Sequence, residues 1–417
     1  MKLRDSVVIA FFAARASTQS LGQLFALNPS LSVLGKYIAS QDELRTALNT
    51  DNITVFAPRD AVLGNALPPM YDGTQPVPNA ALLNAIIKYH IVPGVHGTRN
   101  VTENAMFIPT ILDNDSFENV TGGQVIQTLK ANDTEIIYSG MANKAQVIMP
   151  DLSFDKGIVH IVDAVFTLPQ DVPTSATAAN LTSFMALLQA SNLTSRVDET
   201  PDITVFAPEN QAFERVGSVF TNASSSDLSH IAQYHIAEGA TYSANMTNKT
   251  LMTLDGKEVH LSLIDGTAYV NSARVLSTDL LVNNGVLHIL ENVLNPQNTT
   301  GEPEPRADPQ PTAFASATSA INPIVIGVPP PSSAITLAPS SSIQGQATGP
   351  TTISMPTATG LTTATTTSMP TTTTSMPTTT TSTPTTTTTQ AAGSAPIETG
   401  APGMAAIVAI GAALFNM

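Results

Sequence analysis

The sequence predicts an α+β fold made of two tandem copies of one domain. Three short blocks occur twice, in the same order: Ile-Thr-Val-Phe-Ala-Pro at 53–58 and 203–208, Tyr-His-Ile at 89–91 and 234–236, and a Gly-apolar-apolar-His run that starts at 157 and at 285. Ordered recurrence of this kind is the signature of a repeated domain. Within each copy helical patterns come early and strand patterns late, which favours an α+β module over a doubly wound sheet.

Each Ile-Thr-Val-Phe block predicts a buried strand, because β-branched and aromatic side chains favour strands. Pro58 and Pro208 end these strands, since proline cannot donate to a central ladder. The residues before each Tyr-His pair predict a helix with one apolar face. These apolar residues are Leu82, Leu83, Ile86 and Ile87 in the first copy and Leu228, Ile231 and Ala232 in the second. We therefore expect each helix to deliver its Tyr-His pair to the start of the next strand.

The later part of each copy predicts strands joined by tight turns. In the second copy, residues 259–263 lie between Asp-Gly turns at 255–256 and 265–266. Asp-Gly between alternating apolar residues is a strong hairpin signal. The first copy has matching runs at 125–129 and 135–138, separated by a polar break. We expect both copies to close with a set of adjacent antiparallel strands.

These blocks resemble the hallmark boxes of the fasciclin-type domain, an extracellular module associated with adhesion and cell-surface organisation. The resemblance covers residues 20–296 and includes the closing run Asn-Val-Leu-Asn-Pro at 292–296. It implies a β-sandwich or wedge flanked by several helices. The second copy keeps the family pattern after its first strand, at 209–213, whereas the first copy carries a Pro-rich insertion at 68–78.

The resemblance also implies a role for the Tyr-His boxes, because that region is tied to adhesion in the family. The candidate adhesion motif consists of Tyr89, His90, Tyr234 and His235. The residues themselves suggest a structural interpretation, since apolar neighbours surround every histidine in the repeated blocks. We interpret the imidazoles of His90, His160, His235 and His288 as groups that hydrogen-bond the backbone inside each domain, not as metal ligands.

Both ends of the chain carry processing signals. Residues 1–16 predict a secretory signal peptide, with a basic start, an apolar run at 7–14 and a small-x-small cleavage site that ends at Ala16. The apolar tail at 404–415 follows a polar spacer and three small residues. This pattern predicts a glycosylphosphatidylinositol (GPI) anchor attached at Gly393, with Ala392 as the alternative.

Composition separates a stalk from the two domains. From residue 311 onward the only charged side chain is Glu398, and Thr, Ser and Pro dominate. The segment has too little apolar surface to offset the entropy of ordering, so we predict a disordered, O-glycosylated stalk, with a bare linker as the alternative. The predicted organisation is a signal peptide (1–16), domain 1 (17–169), domain 2 (174–297), a stalk (298–392) and the attachment signal (393–417). The short connection between the domains predicts that they are held close together.

The chain also contains eleven Asn-x-Ser/Thr sequons, which predict N-glycosylation of a secreted protein. A glycan must sit on a reachable surface, so we expect each acceptor to be exposed. The acceptors are Asn52, Asn100, Asn114, Asn119, Asn132, Asn180, Asn192, Asn222, Asn245, Asn248 and Asn298. Asn52 is the weakest of them, because it directly precedes an apolar strand.

Composition and motifs argue against several classes of function. The chain has no cysteine, which removes disulfides, thiol catalysis and cysteine-bound zinc. A net charge of −15 without a Lys/Arg cluster argues against nucleic-acid binding and against docking on anionic lipid. No nucleophile elbow, phosphate loop or zinc-protease motif occurs, and nothing places two acidic residues such as Asp151 and Glu291 at the separation of a glycosidase pair. We therefore expect no catalytic residue, no cofactor and no bound metal.

Together these features predict a secreted, GPI-anchored surface glycoprotein, of a style typical of fungi, that acts in adhesion or in organisation of the cell wall or matrix. Its expected partners are surface, wall or matrix glycans or proteins, or further fasciclin-type domains through self-association. Contact with the membrane is expected only through the anchor lipid. The alternative is an extracellular module that binds a lipid, a polysaccharide or another small ligand.

Overall fold

A computed structural model describes residues 19–64, 79–221 and 223–321, together with Ile324 and Ile335. Within these ranges the chain forms two domains, each built on a seven-stranded sheet with flanking helices. The predicted α+β fold in two tandem copies is confirmed. The signal peptide, the Pro-rich insertion, the Asn222 sequon, most of the predicted stalk and the attachment signal with Gly393 lie outside the described residues.

Domain 1 begins with helices and continues with strands. Its helices are α1 (Leu21–Leu27), α2 (Ser32–Ser40), α3 (Asp42–Ala47) and α4 (Ala80–Tyr89). Its strands are β1 (Ile53–Pro58), β2 (Ile91–Pro93), β3 (Met106–Pro109), β4 (Val125–Ala131), β5 (Thr134–Tyr138), β6 (Lys144–Phe154) and β7 (Gly157–Val162). The predicted helix before Tyr89 is confirmed as α4, and the predicted late strands are confirmed as β4 and β5.

Domain 2 repeats this order. Its helices are α5 (Val172–Ala178), α6 (Thr182–Ala190), α7 (Thr194–Glu199), α8 (Asn210–Arg215), α9 (Gly217–Thr221) and α10 (Ser225–Tyr234). Its strands are β8 (Ile203–Pro208), β9 (Ile236–Glu238), β10 (Lys249–Met252), β11 (Glu258–Ile264), β12 (Thr267–Val270), β13 (Ala273–Val282) and β14 (Gly285–Leu290). Ser224 begins α10 with a capping box, in which its hydroxyl accepts from the Asp227 amide and the Asp227 carboxylate accepts from the Ser224 amide.

The two sheets have the same strand order, β2-β1-β7-β6-β5-β4-β3 and β9-β8-β14-β13-β12-β11-β10. In each sheet the repeated hexapeptide strand pairs in parallel with the repeated Gly-apolar-apolar-His strand, so that Ile53 lies opposite Gly157 and Ile203 opposite Gly285. The other strand pairs are antiparallel. Two of the three repeated blocks therefore form neighbouring strands, the second and third from one edge of each sheet.

A glycine begins each of these parallel strands because no side chain fits there. A Cβ atom at Gly157 would lie 1.8 Å from the carbonyl oxygen of Ile53, and one at Gly285 would lie 1.9 Å from that of Ile203. Those oxygens belong to the neighbouring strand of the sheet, and they cannot move away without breaking the pairing. The glycine of the repeated block is thus a packing requirement of the fold.

Alternate residues of the hexapeptide strand face two different cores. In β1, Ile53, Val55 and Ala57 pack with α1, α2, α3 and α4, while Phe56 packs with strand residues on the opposite side of the sheet. In β8, Ile203, Val205 and Ala207 likewise pack with the helices of domain 2. Phe206 packs with strand residues on the opposite side of that sheet. Burial on both faces explains why this strand is apolar throughout instead of alternating with polar residues.

The chain after domain 2 packs against that domain, in a segment that we call the strap (residues 298–321). Gln310 is only 2% exposed, and its side-chain amide donates to the carbonyls of Glu304 and Ala307 at 2.7 Å each. The Asn292 amide of domain 2 donates to the Gln310 carbonyl at 3.0 Å. Arg274 links the buried Glu291 of domain 2 to Asp308 of the strap. The packed chain thus continues past residue 297, the predicted end of domain 2, into the segment predicted to be stalk.

Candidate functional site

Each Tyr-His pair lies at the junction between a helix and a strand, as the sequence predicted. Tyr89 ends α4 and Tyr234 ends α10, and both side chains are fully buried. The Tyr89 hydroxyl donates to the Val125 carbonyl at 2.7 Å, and the Tyr234 hydroxyl donates to the Glu258 carbonyl at 2.9 Å. The two carbonyls belong to the first residues of β4 and β11, so each tyrosine ties its helix to the same strand of its domain.

The histidine of each pair connects two stretches of backbone. His90 Nε2 accepts from the Phe166 amide at 2.8 Å, and His235 Nε2 accepts from the Leu294 amide at 2.9 Å. An amide can only donate, so the proton of each neutral ring is on Nδ1, which donates to the carbonyl four residues earlier at 2.7 Å. Burial lowers the pKa of both histidines to about 4, which keeps the rings neutral.

The second pair of repeated histidines uses the opposite tautomer. His160 Nδ1 and His288 Nδ1 accept from the amides of Asp151 and Asp279 at 3.1 Å. Each Nε2 therefore carries the proton and donates at 2.9 Å to a carbonyl, of His96 in domain 1 and Thr241 in domain 2. These four histidines thus bind backbone groups inside the domains, which confirms the structural interpretation. Among the described residues, no three His, Asp or Glu side chains are grouped so that they could hold a metal ion.

Two aspartates have a structural role that was not predicted from the sequence. Asp151 and Asp279 adopt left-handed backbone conformations, with φ of 57° and 65°. Their carboxylates accept from the amides of Thr98 and Ser243, the first residues of equivalent 3₁₀ turns, at 3.2 and 2.8 Å. The signal was present in the sequence, since an aspartate stands nine residues before the histidine in both copies.

The four residues of the candidate adhesion motif are buried inside their domains and not exposed at the surface. Tyr89, Tyr234 and His235 are fully buried, and His90 is 2% exposed. Their polar atoms already bind groups of the same domain. In this conformation a partner cannot touch these four side chains, and the adhesion motif stays a prediction for a binding assay to test.

The two domains meet in an interface with an apolar centre. Four buried side chains form this centre: Val125 of domain 1 and Tyr242, Leu281 and Val286 of domain 2. Phe107 of domain 1 adds a ring that stacks on Tyr242, with 4.6 Å between centroids and 18° between planes. These contacts confirm that the domains are held close together.

Polar contacts surround the apolar centre of the interface. Gln124 of domain 1 is fully buried, and its side-chain amide donates to the Val282 carbonyl of domain 2 at 2.9 Å. The amide of Thr121 donates to the Asp202 carboxylate at 2.7 Å. The amide of Asn119 donates to the Asn283 carbonyl, also at 2.7 Å. The interface is therefore a specific contact between two surfaces, not only the result of a short linker.

Replacing Gln124 with alanine is expected to weaken the coupling between the domains by about 1–3 kcal/mol, because the buried Val282 carbonyl loses its donor. We expect the cooperative denaturant unfolding of the chain to broaden or to separate into two transitions. Gln189→Ala, on the exposed side of α6, is the matched control and should leave the transition unchanged. Unfolding of the Gln124→Ala variant with the midpoint and slope of the original chain would contradict this assignment.

The sequon asparagines lie at the surface. Every one of them within the described ranges is exposed, apart from the half-buried Asn114. Asn52, which the sequence marked as the weakest, is exposed in a left-handed turn just before β1. Asn119 lies at the edge of the domain interface, where its side-chain amide donates to the Glu199 carbonyl at 3.3 Å. Exposure makes glycosylation sterically feasible, while the occupancy of each sequon stays a prediction.

None of the helices in the described ranges has the length and apolar character needed to cross a membrane.

Comparisons with known proteins agree with this architecture. The fasciclin domain model matches residues 29–169 and 179–296. A fasciclin-like arabinogalactan protein of the fungus Arthroderma benhamiae is 37% identical over 335 residues, which is 79% of this chain and 80% of that protein. A fasciclin-like arabinogalactan protein of Cercospora beticola, also a fungus, is 29% identical over 295 residues, covering 68% of this chain and 78% of that protein.

Among solved structures, a FAS1 domain pair from the insect cell adhesion molecule Fasciclin I is 16% identical and covers 67% of this chain and 99% of that chain. The TM-score of that match is 0.31. The family model, in contrast, matches well over half of the chain, in two tandem stretches that coincide with the two domains. This chain therefore belongs to the fasciclin domain family.

Proposed function

We propose that this protein is an extracellular surface glycoprotein that acts in adhesion or in organisation of the cell wall or matrix, and that it does so without catalysis. The observation that supports this most is the role of the repeated residues. The tyrosines and histidines that recur in both copies are bound to backbone groups, so what the two domains share is a scaffold. A scaffold with exposed sequons suits the display of surfaces and glycans better than it suits a reaction.

The names of the fungal relatives support the glycoprotein part of this proposal. The fungal relatives are named as fasciclin-like arabinogalactan proteins, a name that places them among glycan-bearing proteins. From the signals at the two ends of its sequence, we infer that this chain is secreted after cleavage of residues 1–16 and carries a GPI anchor at Gly393, with Ser17 as the first mature residue. It would then stay at the outer surface, bound to the membrane through the anchor lipid alone, or pass into the wall. The Ser/Thr/Pro-rich stalk would hold the domains away from that surface.

We infer that the partners are wall or matrix glycans or proteins, or a second copy of the chain. Nucleic acid is a poor partner, because the chain carries a net charge of −15. A polysaccharide-binding module is the second candidate function, since domain 1 contains a polar groove lined by Arg99, Lys130 and Glu135.

Treatment of whole cells with a phosphatidylinositol-specific phospholipase is expected to release the chain and to reduce cell-to-surface adhesion, because the anchor is its only proposed link to the membrane. Immunoblots of supernatant and cells, together with counts of adherent cells, measure the two effects. Cells that lack the chain are the control for other released proteins. Retention of the chain on the cells with an intact C-terminus would contradict the proposed anchor. Normal adhesion after complete release of the chain would contradict the adhesion role.

A further inference from the structure

Domain 1 has an open groove of about 330 Å³ that the proposed function does not use. It lies between the 3₁₀ turn Thr98–Asn100, the turn that joins β4 to β5, and strand β6. Its charged lining side chains are Arg99, Lys130, Asp133 and Glu135, and Thr98 and Thr134 add two hydroxyl groups. This volume is at the small end of the range for ligand sites in proteins.

One wall of the groove contains a buried carboxyl group. Glu135 is 4% exposed, and its Oε1 accepts from the hydroxyl of the fully buried Thr128 at 3.0 Å. Its Oε2 is also buried and has no hydrogen-bond partner among the described residues. A buried carboxyl oxygen without a donor is unfavourable, so a ligand that supplied a donor would be stabilised there.

Domain 2 shows that the fold does not require this carboxyl group. Glu135 lies opposite Lys130 across the β4–β5 pair, and the equivalent pair across β11 and β12 is Ala268 with Leu263. Two residues earlier in the first strand, Leu261 stands where domain 1 has Thr128. The second domain thus fills with apolar side chains the positions at which domain 1 buries a carboxyl and a hydroxyl group.

The rim of the groove also differs in charge between the domains. Arg99 and Lys130 line the groove in domain 1, and their counterparts in domain 2 are Ala244 and Leu263. Arg99 makes no ion pair with any described residue. Lys130 Nζ lies 3.4 Å from Asp133, whose side chain is 99% exposed, and such a surface pair is weak. Both cations are therefore available to a ligand.

The combination of groups selects a class of ligand. Arg99, which has no ion pair among the described residues, and Lys130, whose partner Asp133 is exposed to solvent, favour an anion, whereas the Glu135 carboxyl group needs a partner with a hydroxyl group. A simple inorganic anion would satisfy the rim but would offer nothing to the carboxyl group. A sugar ring that carries a carboxylate provides both groups on one small molecule. Burial also raises the pKa of Glu135 to about 7, which reduces its repulsion of a nearby anion at neutral or acidic pH.

We propose that this groove binds an acidic saccharide unit, with the sugar carboxylate on Arg99 and Lys130 and a ring hydroxyl on Glu135. The site belongs to domain 1 alone. The inference rests on the proposed wall or matrix role only for the source of the saccharide, which would be an acidic polymer of that layer.

Titration calorimetry of the purified full chain with trigalacturonate tests the site, and neutral trigalactose is the matched probe. N-glycans are removed first, because the sequons at Asn100 and Asn132 flank the groove. We expect binding of trigalacturonate only. The double variant R99A/K130A should weaken that binding by about tenfold or more, since two charge-assisted contacts are lost. Glu135→Ala, which copies Ala268 of domain 2, should weaken it by about fivefold through loss of one hydrogen bond.

The double variant R196A/K249A is the control for charge, because it removes two cations from the surface of domain 2. It should bind trigalacturonate like the original chain. Absence of binding, equal weakening by the two double variants, or displacement by inorganic phosphate at similar concentration would each overturn the proposal. If trigalacturonate does not bind while phospholipase release still abolishes adhesion, the site is wrong and the adhesion role stands. If trigalacturonate binds and adhesion survives release of the chain, the site stands and the adhesion role is wrong.

Discussion

Replacing His235 with alanine is expected to lower the free energy of unfolding of domain 2 by about 2–4 kcal/mol. The change leaves the buried Ile231 carbonyl without its donor and the Leu294 amide without its acceptor. It also leaves a cavity in a fully packed region. His90→Ala should have an effect of similar size in domain 1, where the ring also stacks on Phe166 with 4.1 Å between centroids. A loss of this size is a large share of the total stability of a domain.

Chemical denaturation of the full chain, followed by circular dichroism, measures this effect. His260→Ala is the matched control, because His260 is exposed and its ring hydrogen-bonds, among the described residues, to the Thr250 hydroxyl alone. We expect that control to change stability by less than about 0.5 kcal/mol. An unchanged unfolding midpoint for His235→Ala together with lost adhesion would overturn the structural role and would favour direct contact with a partner.

Acidification is expected to destabilise both domains through the same histidines. His90 and His235 have a pKa of about 4 in the folded chain, whereas an unfolded histidine titrates at about 6.5. As the pH falls below 6.5, the unfolded chain therefore binds these protons first. The stability contributed by each histidine is full above pH 6.5 and is lost as the pH falls towards 4. The loss for each histidine is about 2 kcal/mol between pH 7 and pH 5.

Buried carboxyl groups act in the opposite direction. Burial raises the pKa of Glu135 to about 7 and that of Asp198 to about 6, so the folded chain binds these protons more readily than the unfolded chain does. Their contribution to stability therefore grows as the pH falls below those values. The net change in stability on acidification is the gain from the carboxyl groups minus the loss from the histidines. Single-residue variants are needed to separate the two contributions.

The variant His235→Gln separates the histidine effect from that of the carboxyl groups, because it cannot titrate at this position. We expect the original chain to lose about 2 kcal/mol more than this variant between pH 7 and pH 5. Denaturant unfolding at both pH values measures the difference. His260→Gln is the control and should lose as much as the original chain. An equal loss for His235→Gln and the original chain would show that His235 does not titrate between the folded and unfolded states.

Much of the architecture could be predicted from the sequence because it is encoded in local pattern. The apolar spacing before Tyr89 and Tyr234 specifies α4 and α10, and the Asp-Gly turns specify the hairpin around β11. Recurrence of the same three blocks established that the chain contains two domains. The apolar surroundings of the histidines were enough to infer that they bind backbone groups. All of these conclusions depend on residues that are close together in the chain.

The sequence could not reveal which surfaces meet, because those contacts join distant residues. Gln124 binds Val282 across 158 positions, and nothing around Gln124 marks it as an interface residue. The strap escaped prediction for the same reason, since its composition is that of a linker and the residues of domain 2 that bind it, among them Arg274, Glu291 and Asn292, are distant in the chain. The polar groove depends on a register that places Glu135 opposite Lys130 and within hydrogen-bond distance of the Thr128 hydroxyl.

By itself, the sequence determined the family, the domain count and the order of helices and strands, since periodicity, turns and repeated blocks are local properties. Tertiary structure alone decided that the Tyr-His pairs are internal, that the domains share a specific interface, and that domain 1 buries a carboxyl group where domain 2 buries alanine. The physical reason is that burial belongs to the packed chain. A side chain becomes inaccessible only when segments from other parts of the sequence close over it.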